Sequence, residues 1–408
     1  MEDLPINTRE YKIDYSTTLG KGSFGTVYKG TLIKDGKEIP VAMKQISKDI
    51  IKNNNLLQLL SNEVVISANL TNGDKKDKDK KGEDKKDEEK KGEDKKDEDK
   101  KDEDKKDEDK KEEVNNIVSF LDIIEIDDIN YLVYEFCNGG DLKRYLKYFK
   151  KLDERTIQNI LRQTLEGLKR LHEKKIVHHD IKPENILVEL CLPKGDNSNL
   201  EETIEKVMET TKSKRYRDED DEMDNERLLE ILNSSIFKLS DFGLSKEMKN
   251  FNKKEVGGSP LYVDPMLFDQ NVDRETIHNE KVDIWALGVL AYEMFFYDLP
   301  FQPFPPKIDK LKALLDKGQY FIDMKKCNKI SKQFLSFLNM CLQRPQKIRP
   351  LADELLFSEF ITLDPDSFTY LTLDDYKNTE FPDDSYLQRD GIITMNIDDN
   401  RMINATFE

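Results

Sequence analysis

The chain has 408 residues, 37% of them charged, and a formal net charge of −17. That balance argues against a general nucleic-acid binder, because neutralising phosphates needs clustered Lys and Arg. The most apolar run, residues 284–296, is too short to cross a bilayer and carries Glu293, and the N-terminal string MEDLPINTREYK lacks a charged-then-apolar leader, so no membrane is expected.

In chain order, residues 11–46 read as strands, YKIDYSTTLG, GTVYKGTLI and EIPVAMKQI, with KDG at 34–36 as a turn. Residues 47–70 turn helical, with Leu56, Leu59, Leu60, Val64 and Leu70 at helical spacing. From Asp74 to Glu113 nearly every residue is Lys, Asp or Glu. With no apolar residue to bury, this run is expected to be a solvated, disordered insert at 73–113. NNIVSFLDIIEI and INYLVYEF then alternate like two more strands joined at Asp127 and Asp128.

From Asp141 the periodicity is mainly helical: DLKRYLKYFK, ERTIQNILRQTLEGLKRLHEK, a helix from Val282, and a group ending near LADELLFSEFI. A second insertion, roughly 191–235, is expected to loop out; it holds two helical stretches, NLEETIEKVMETTK and NERLLEIL, around an acidic run. The tail from Asp364 is acidic but studded with aromatics, and reads as a flexible end unless it wraps a lobe or binds a partner. Four widely spaced cysteines, Cys137, Cys191, Cys327 and Cys341, show no CxxC pair or metal-ligand spacing, which suits reduced thiols in a cytoplasmic protein.

Four strings carry chemistry. In LGKGSFGTV (19–27), Gly20, Gly22 and Gly25 lie between strands and let backbone N–H groups approach phosphate oxygens. This is no P-loop, because Lys21 is followed by Gly. Lys44 ends the apolar string VAMK (41–44), an odd place for a charge unless an anion meets it; a snorkelling surface Lys is the plain alternative. Glu63, the only acid between Asp49 and Asp74, is its natural partner. HHDIKPEN (178–185) and DFG (241–243) complete the set. In this order the strings resemble the serine/threonine type of the eukaryotic protein kinase family, over about Tyr11 to Phe360.

The resemblance implies an α+β, two-lobed protein kinase fold. A small β-rich N-lobe with one helix (about 11–136) would precede a larger helical C-lobe (about 137–362), flanked by an N-terminal segment (1–10) and an acidic tail (363–408). It implies ATP and Mg2+ as ligands. Leu19, Val27 and Ala42 would lie over adenine and Leu187 beneath it, with Glu135 and Cys137 as the hinge and Tyr134 narrowing the pocket behind. Lys44, paired with Glu63, would meet the α/β-phosphates. Asp180 would orient the substrate hydroxyl and accept its proton, Lys182 would neutralise charge on the γ-phosphoryl group, and Asn185 and Asp241 would hold magnesium.

Lys182 two residues after Asp180, and GSPLY at 258–262, point to serine/threonine specificity on protein substrates. Asp141 and Glu184 match positions that bind basic side chains upstream of the target residue in basophilic relatives. Regulatory partners would come through the inserts and tail. The alternative is a pseudokinase or scaffold, but Lys44, Glu63, Asp180, Asn185 and Asp241 are all present. GSPLY and DIWALGVLAYEM give a weak likeness to calcium/calmodulin-type or autophagy-initiating kinases.

Departures from the family pattern cluster in the substrate loops. His179 replaces the Arg that pairs with a loop phosphate, and Glu255 stands at the usual phosphosite; Ser245 is the one hydroxyl from Leu244 to Gly258. Activity without loop phosphorylation is therefore expected. DPM (264–266) replaces APE, leaving Met266 unable to pair with Arg349, and Ser67, one turn after Glu63, is small where relatives place a bulky apolar residue.

Overall fold

The alternating stretches near the N-terminus fold as antiparallel strands in the computed structural model, which describes residues 10–22, 25–47, 57, 60–71, 114–212, 225–247, 259–268, 280–301, 319–372, 387–388 and 392–396. The charged insert expected at 73–113, together with Leu56, Leu59 and Glu255, lies outside them. Strands β1 (Glu10–Gly22), β2 (Gly25–Lys34), β3 (Lys37–Gln45), β4 (Phe120–Ile126) and β5 (Ile129–Glu135) form one sheet in the order β1-β2-β3-β5-β4. Both expected hairpin turns close with two residues at positive φ, Asp35 and Gly36 in one, Asp127 and Asp128 in the other. That geometry matches the twist of the flanking strands.

The sheet has a core on each face. Val41 and Met43 of β3 are fully buried with Tyr131 and Val133 of β5. On the opposite face Leu132 packs with Ile46 and with Leu60 of helix α1 (60–71). This second face is the one turned toward the site.

In the large lobe, α2 (Leu142–Phe149) and α3 (Glu154–Glu173) each start at an Asp whose side chain accepts a backbone N–H of the first turn, Asp141 and Asp153. Strands β6 (Ile176–Val177) and β7 (Ile186–Glu189) follow, then α4 (Leu200–Lys212), α5 (Asn225–Ser234), β8 (Ile236–Leu239), β9 (Lys246–Glu247) and α6 (Lys281–Phe296). β7 pairs with β8 and β6 with β9, which bracket the two chemical loops. Apart from Asp283 and Glu293, α6 is apolar on every side and buried from Val282 to Phe295, as suits a central core helix. Beyond it lie β10 (Gln319–Asp323), β11 (Lys329–Ser331), α7 (Lys332–Cys341), β12 (Tyr370–Thr372), β13 (Leu387–Gln388) and β14 (Ile392–Asn396).

The second insertion does not simply loop out. Its two helices form where expected, but Val207, Leu228, Ile231 and Leu232 are fully buried in the large-lobe core. Gln163 and Asn159 of α3 donate to the Ser235 and Asn233 carbonyls at 3.0 and 2.9 Å. An amphipathic helix releases free energy by covering apolar neighbours, and here α3 and α2 supply them. The tail also returns to the lobe: β12 pairs with β11, and β14 pairs with β10 and buries Met395.

Candidate active site

Strand register assembles the small-lobe side of the site. Val27 lies opposite Lys44 and Ala42 opposite Tyr134, so Val27, Ala42 and Lys44 share the site face of the sheet. Gly20 lies opposite Val27 and Gly22 opposite Gly25, with the register broken at Leu19, a bulge that leaves Leu19 40% exposed at the rim. The glycines differ in purpose. A Cβ on Gly20 would meet nothing within 4 Å, whereas one on Gly25 would come within 2.0 Å of the Gln45 carbonyl. Gly20 thus keeps its backbone open to the surroundings, and Gly25 is required by close packing on β3.

Lys44 reaches from β3 into a nearly buried position, its Nζ 2.7 Å from Glu63 Oε1 and 3.1 Å from Asp241 Oδ1. Burial disfavours its charge, but the two carboxylates outweigh burial and hold its pKa above the usual value. Burial pushes the Glu63 carboxyl up, with Lys44 offsetting part of the rise; for Asp241, Lys44 outweighs burial and holds the carboxyl below the usual range. Glu63 Oε1 accepts a further bond from the Tyr134 hydroxyl at 2.8 Å.

The catalytic-loop side is a saturated network around Asp180. Its Oδ2 accepts Lys182 Nζ at 2.6 Å and Asn185 Nδ2 at 2.8 Å. Its Oδ1 accepts both the backbone N–H and the hydroxyl of Ser259 at 3.0 Å, and Lys182 also donates to that hydroxyl at 2.9 Å. A protein hydroxyl thus already stands beside both Asp180 and Lys182. Asn185 directs its amide nitrogen at Asp180, leaving Oδ1 without a hydrogen bond among the described residues.

The loop's backbone is strained and pinned. His179 and Asp241 have φ of 66° and 61°, the left-handed region that side chains disfavour. Asp283, fully buried on α6, accepts the His178 and His179 N–H groups at 2.8 Å each and lies 3.0 Å from His172 Nε2. Sequence reasoning passed over Asp283; an acid opening an otherwise apolar helix was the available signal.

Leu187 is brought under the hinge by a bridge to Asp141, with Gly139 and Val188 paired at 2.8 Å. The Glu135 side chain does not face this space: it accepts Ser119 N–H at 2.7 Å and Lys238 Nζ at 2.8 Å, an anchor that sequence reasoning also missed. The Cys137 N–H makes no hydrogen bond among the described residues, while its buried thiol is pushed up to about 12 and held neutral.

On the substrate side, Asp141 is engaged as the α2 cap. Lys143 Nζ stands 2.7 Å from Glu293 Oε1 and 3.9 Å from Glu184 Oε1. Ser245 is buried and donates to the His178 carbonyl at 3.1 Å. Arg349 is not stranded by the loss of a Glu at 266: it forks onto Asp264, two residues earlier, with Nη2 3.0 Å from Oδ1 and Nη1 on Oδ2.

The donor set fits a magnesium nucleotide. Asp241 and Asn185 Oδ1, which accepts no hydrogen bond among the described residues, offer hard oxygens of the kind magnesium takes, and no group of three or more His, Cys, Asp or Glu positioned to hold a metal occurs among the described residues. Magnesium is ordinarily held by one or two such oxygens together with phosphates. No helix of the described residues is long and apolar enough to cross a membrane.

Comparison with known proteins agrees with this geometry. Residues 80–361 match the protein kinase domain. The matched span begins inside the charged insert, so the glycine loop and Lys44 precede it; the β3–β5 pairing and the Lys44–Glu63–Asp241 contacts join them to it. The chain is 29% identical over 252 residues to human serine/threonine-protein kinase ULK1, covering 61% of this chain and 20% of that protein. Over 251 residues it is 30% identical to serine/threonine-protein kinase pakB of Dictyostelium discoideum, covering 60% and 23%. Over 301 residues it is 29% identical to serine/threonine-protein kinase unc-51 of Caenorhabditis elegans, covering 73% and 26%. The matched regions thus span about a fifth to a quarter of these relatives.

Proposed function

The chain belongs to the protein kinase family, and we propose that it transfers the γ-phosphoryl group of ATP to Ser and Thr hydroxyls of proteins. The observation that carries this reading is the Ser259 hydroxyl, seated between Asp180 and Lys182 as a substrate hydroxyl would be. Adenine would lie between Leu19, Val27 and Ala42 on one side and Leu187 on the other, with the Glu135 carbonyl and Cys137 N–H as its hinge partners. Gly20 and Gly22 would turn backbone toward the phosphates, and Lys44 would meet them from within its Glu63 pair.

In the chemical step, the substrate oxygen forms its bond to the γ-phosphorus as the bond to the ADP oxygen breaks, and the hydroxyl proton passes to Asp180. Lys182, which stands beside Asp180 and the Ser259 hydroxyl, would neutralise charge on the phosphoryl group in flight. Asn185 and Asp241 would hold Mg2+, which when bound draws negative charge from the phosphates. Rate enhancement then comes from positioning and electrostatics.

Activity is proposed not to depend on loop phosphorylation, since Ser245 is buried and bonded inward. The basic upstream preference rests on Glu184 alone, because Asp141 is engaged as a cap. The catalytic unit would run from about Tyr11 and take in the tail strands β12 and β14. The cytoplasmic setting is proposed on the four cysteines being free thiols. The test is transfer from radiolabelled ATP to a protein or peptide substrate, with Asp180→Asn and Lys44→Met as controls. Wild-type transfer that both substitutions abolish is expected. Nucleotide binding without transfer would favour a scaffold.

A further inference from the structure

Tyr134 stands where β5 hands the chain to the hinge, and its phenol reaches across to α1. The hydroxyl donates to Glu63 Oε1 at 2.8 Å, the oxygen that also takes Lys44 Nζ at 2.7 Å. The ring lies edge-on to Phe120, centroids 5.5 Å apart, and packs on the cluster of Ile46, Leu60 and Leu132. It cannot swing away without unpacking that cluster. Beside it on α1 is Ser67, 1% exposed, whose small hydroxyl side chain faces the Tyr134 phenol. The small side chain one turn past Glu63 leaves the phenol room to reach the carboxylate.

Without that hydroxyl, Glu63 would be held by Lys44 alone, because its buried Oε2 has no partner among the described residues. Lys44 is itself shared with Asp241 at 3.1 Å. The far end of α1 is tied separately, through Thr71 Oγ1 accepting the Phe120 N–H at 3.1 Å. The Glu63 end is therefore the one that Tyr134 fixes.

We propose that Tyr134 is a positioning residue. Its hydroxyl latches the Glu63 end of α1 to the sheet and keeps the Lys44–Glu63 pair formed without a phosphate on the loop after Asp241. This rests on the kinase reading above, in which that pair must be in place for transfer. Three groups face Glu63: Lys44 from β3 and Tyr134 from β5 lower its pKa, whereas Asp241 adds to the rise that burial causes. Removing the hydroxyl raises Glu63 further, so the acid limb of the rate profile moves to higher pH.

The test uses the full chain, phosphatase-treated. Tyr134→Phe is expected to lower kcat about tenfold, the scale of a lost hydrogen bond to a buried charge, while the KM for ATP changes by less than about twofold. It is expected to shift the acid limb upward and to speed amide exchange over 60–71 roughly tenfold. Ser67→Leu, which crowds the phenol, should give the same losses by an independent route, and so decides the matter should Tyr134→Phe fail to fold. Wild-type kcat, pH profile and exchange in either folded variant would overturn the proposal. If the wild type transfers no phosphate, the kinase reading fails, and exchange over α1 still decides whether the latch exists.

Discussion

Two buried ion pairs organise the molecule, and they are finished to different degrees. Arg349 is saturated: both Asp264 oxygens and the Gln343, Lys281 and Arg344 carbonyls accept from it, and its guanidinium lies 5.1 Å from the Trp285 ring. The Lys44–Glu63 pair is left incomplete, with Glu63 Oε2 lacking a partner among the described residues and Lys44 shared between two carboxylates. A structural charge needs every hydrogen bond met inside the chain, since each unmet one costs stability. A pair that must receive a ligand keeps capacity in reserve. What separates them is Glu63 Oε2, which has no hydrogen-bond partner among the described residues, in the pair proposed to meet a ligand.

The largest expected effect lies at the proposed reacting centre, where Asp180 is held by four donors. Asp180→Asn should lower turnover by roughly a thousandfold or more, because it removes the proposed proton acceptor and keeps the shape. Radiolabelled transfer measures the loss, and a melting temperature close to wild type separates it from unfolding. Chelating magnesium should abolish transfer in both proteins.

The stability test comes next, and it can break the comparison. Asp264→Asn should cost about 3–5 kcal/mol, because Arg349 cannot shed its proton and is left charged in the interior. Lys44→Met should cost only about 1 kcal/mol, since Glu63 is already pushed upward by burial and can take a proton. Urea denaturation of both variants decides. Equal losses would mean that the two pairs are not distinguished by saturation.

A third cluster sharpens the point through pH. Burial alone would raise Asp283, but the His172 hydrogen bond and the nearby histidines outweigh it and hold the carboxyl below its usual range. The unfolded chain therefore binds this proton more readily than the folded one. The associated stability is present above the ordinary carboxylate range and is lost as pH falls through the folded value. Asp283→Asn should flatten the fall in melting temperature between about pH 5 and pH 3. An unchanged slope would show that the carboxylate carries no linked proton.

The parts of the site that were legible in the sequence were those in which one segment does one job. Lys44, Asp180, Lys182, Asn185 and Asp241 sit in short strings whose spacing the backbone enforces, and the paired strands of the small lobe showed as period-2 runs. What stayed hidden depends on contacts between distant segments. Asp264 as partner of Arg349, Asp283 beneath the catalytic loop, Lys238 behind the hinge and the Tyr134 bond to Glu63 each join residues 71 to 111 positions apart, and no local period marks such pairs. The buried helices of the second insertion were seen as helices, but which neighbour covers their apolar face is a tertiary fact.

The smallest expected effect concerns substrate choice, at a cluster between the two extremes. Glu293 is nearly buried and also accepts the Tyr262 hydroxyl, whereas the Glu184 side chain is 45% exposed, with Lys143 Nζ between the two carboxylates. Lys143 thus supplies from within the chain the cation that a basic substrate side chain would bring. On a positional-scanning peptide array, the wild type should show weak selection for Arg or Lys upstream of the target. Lys143→Met, which keeps the apolar stem and removes the charge, should strengthen that selection about threefold to tenfold, the scale of a partly exposed ion pair. Adding Glu184→Gln should cancel the gain. A wild type already strongly selective for basic residues would show instead that Lys143 yields to substrate, and that this cluster belongs with the open pair at Lys44.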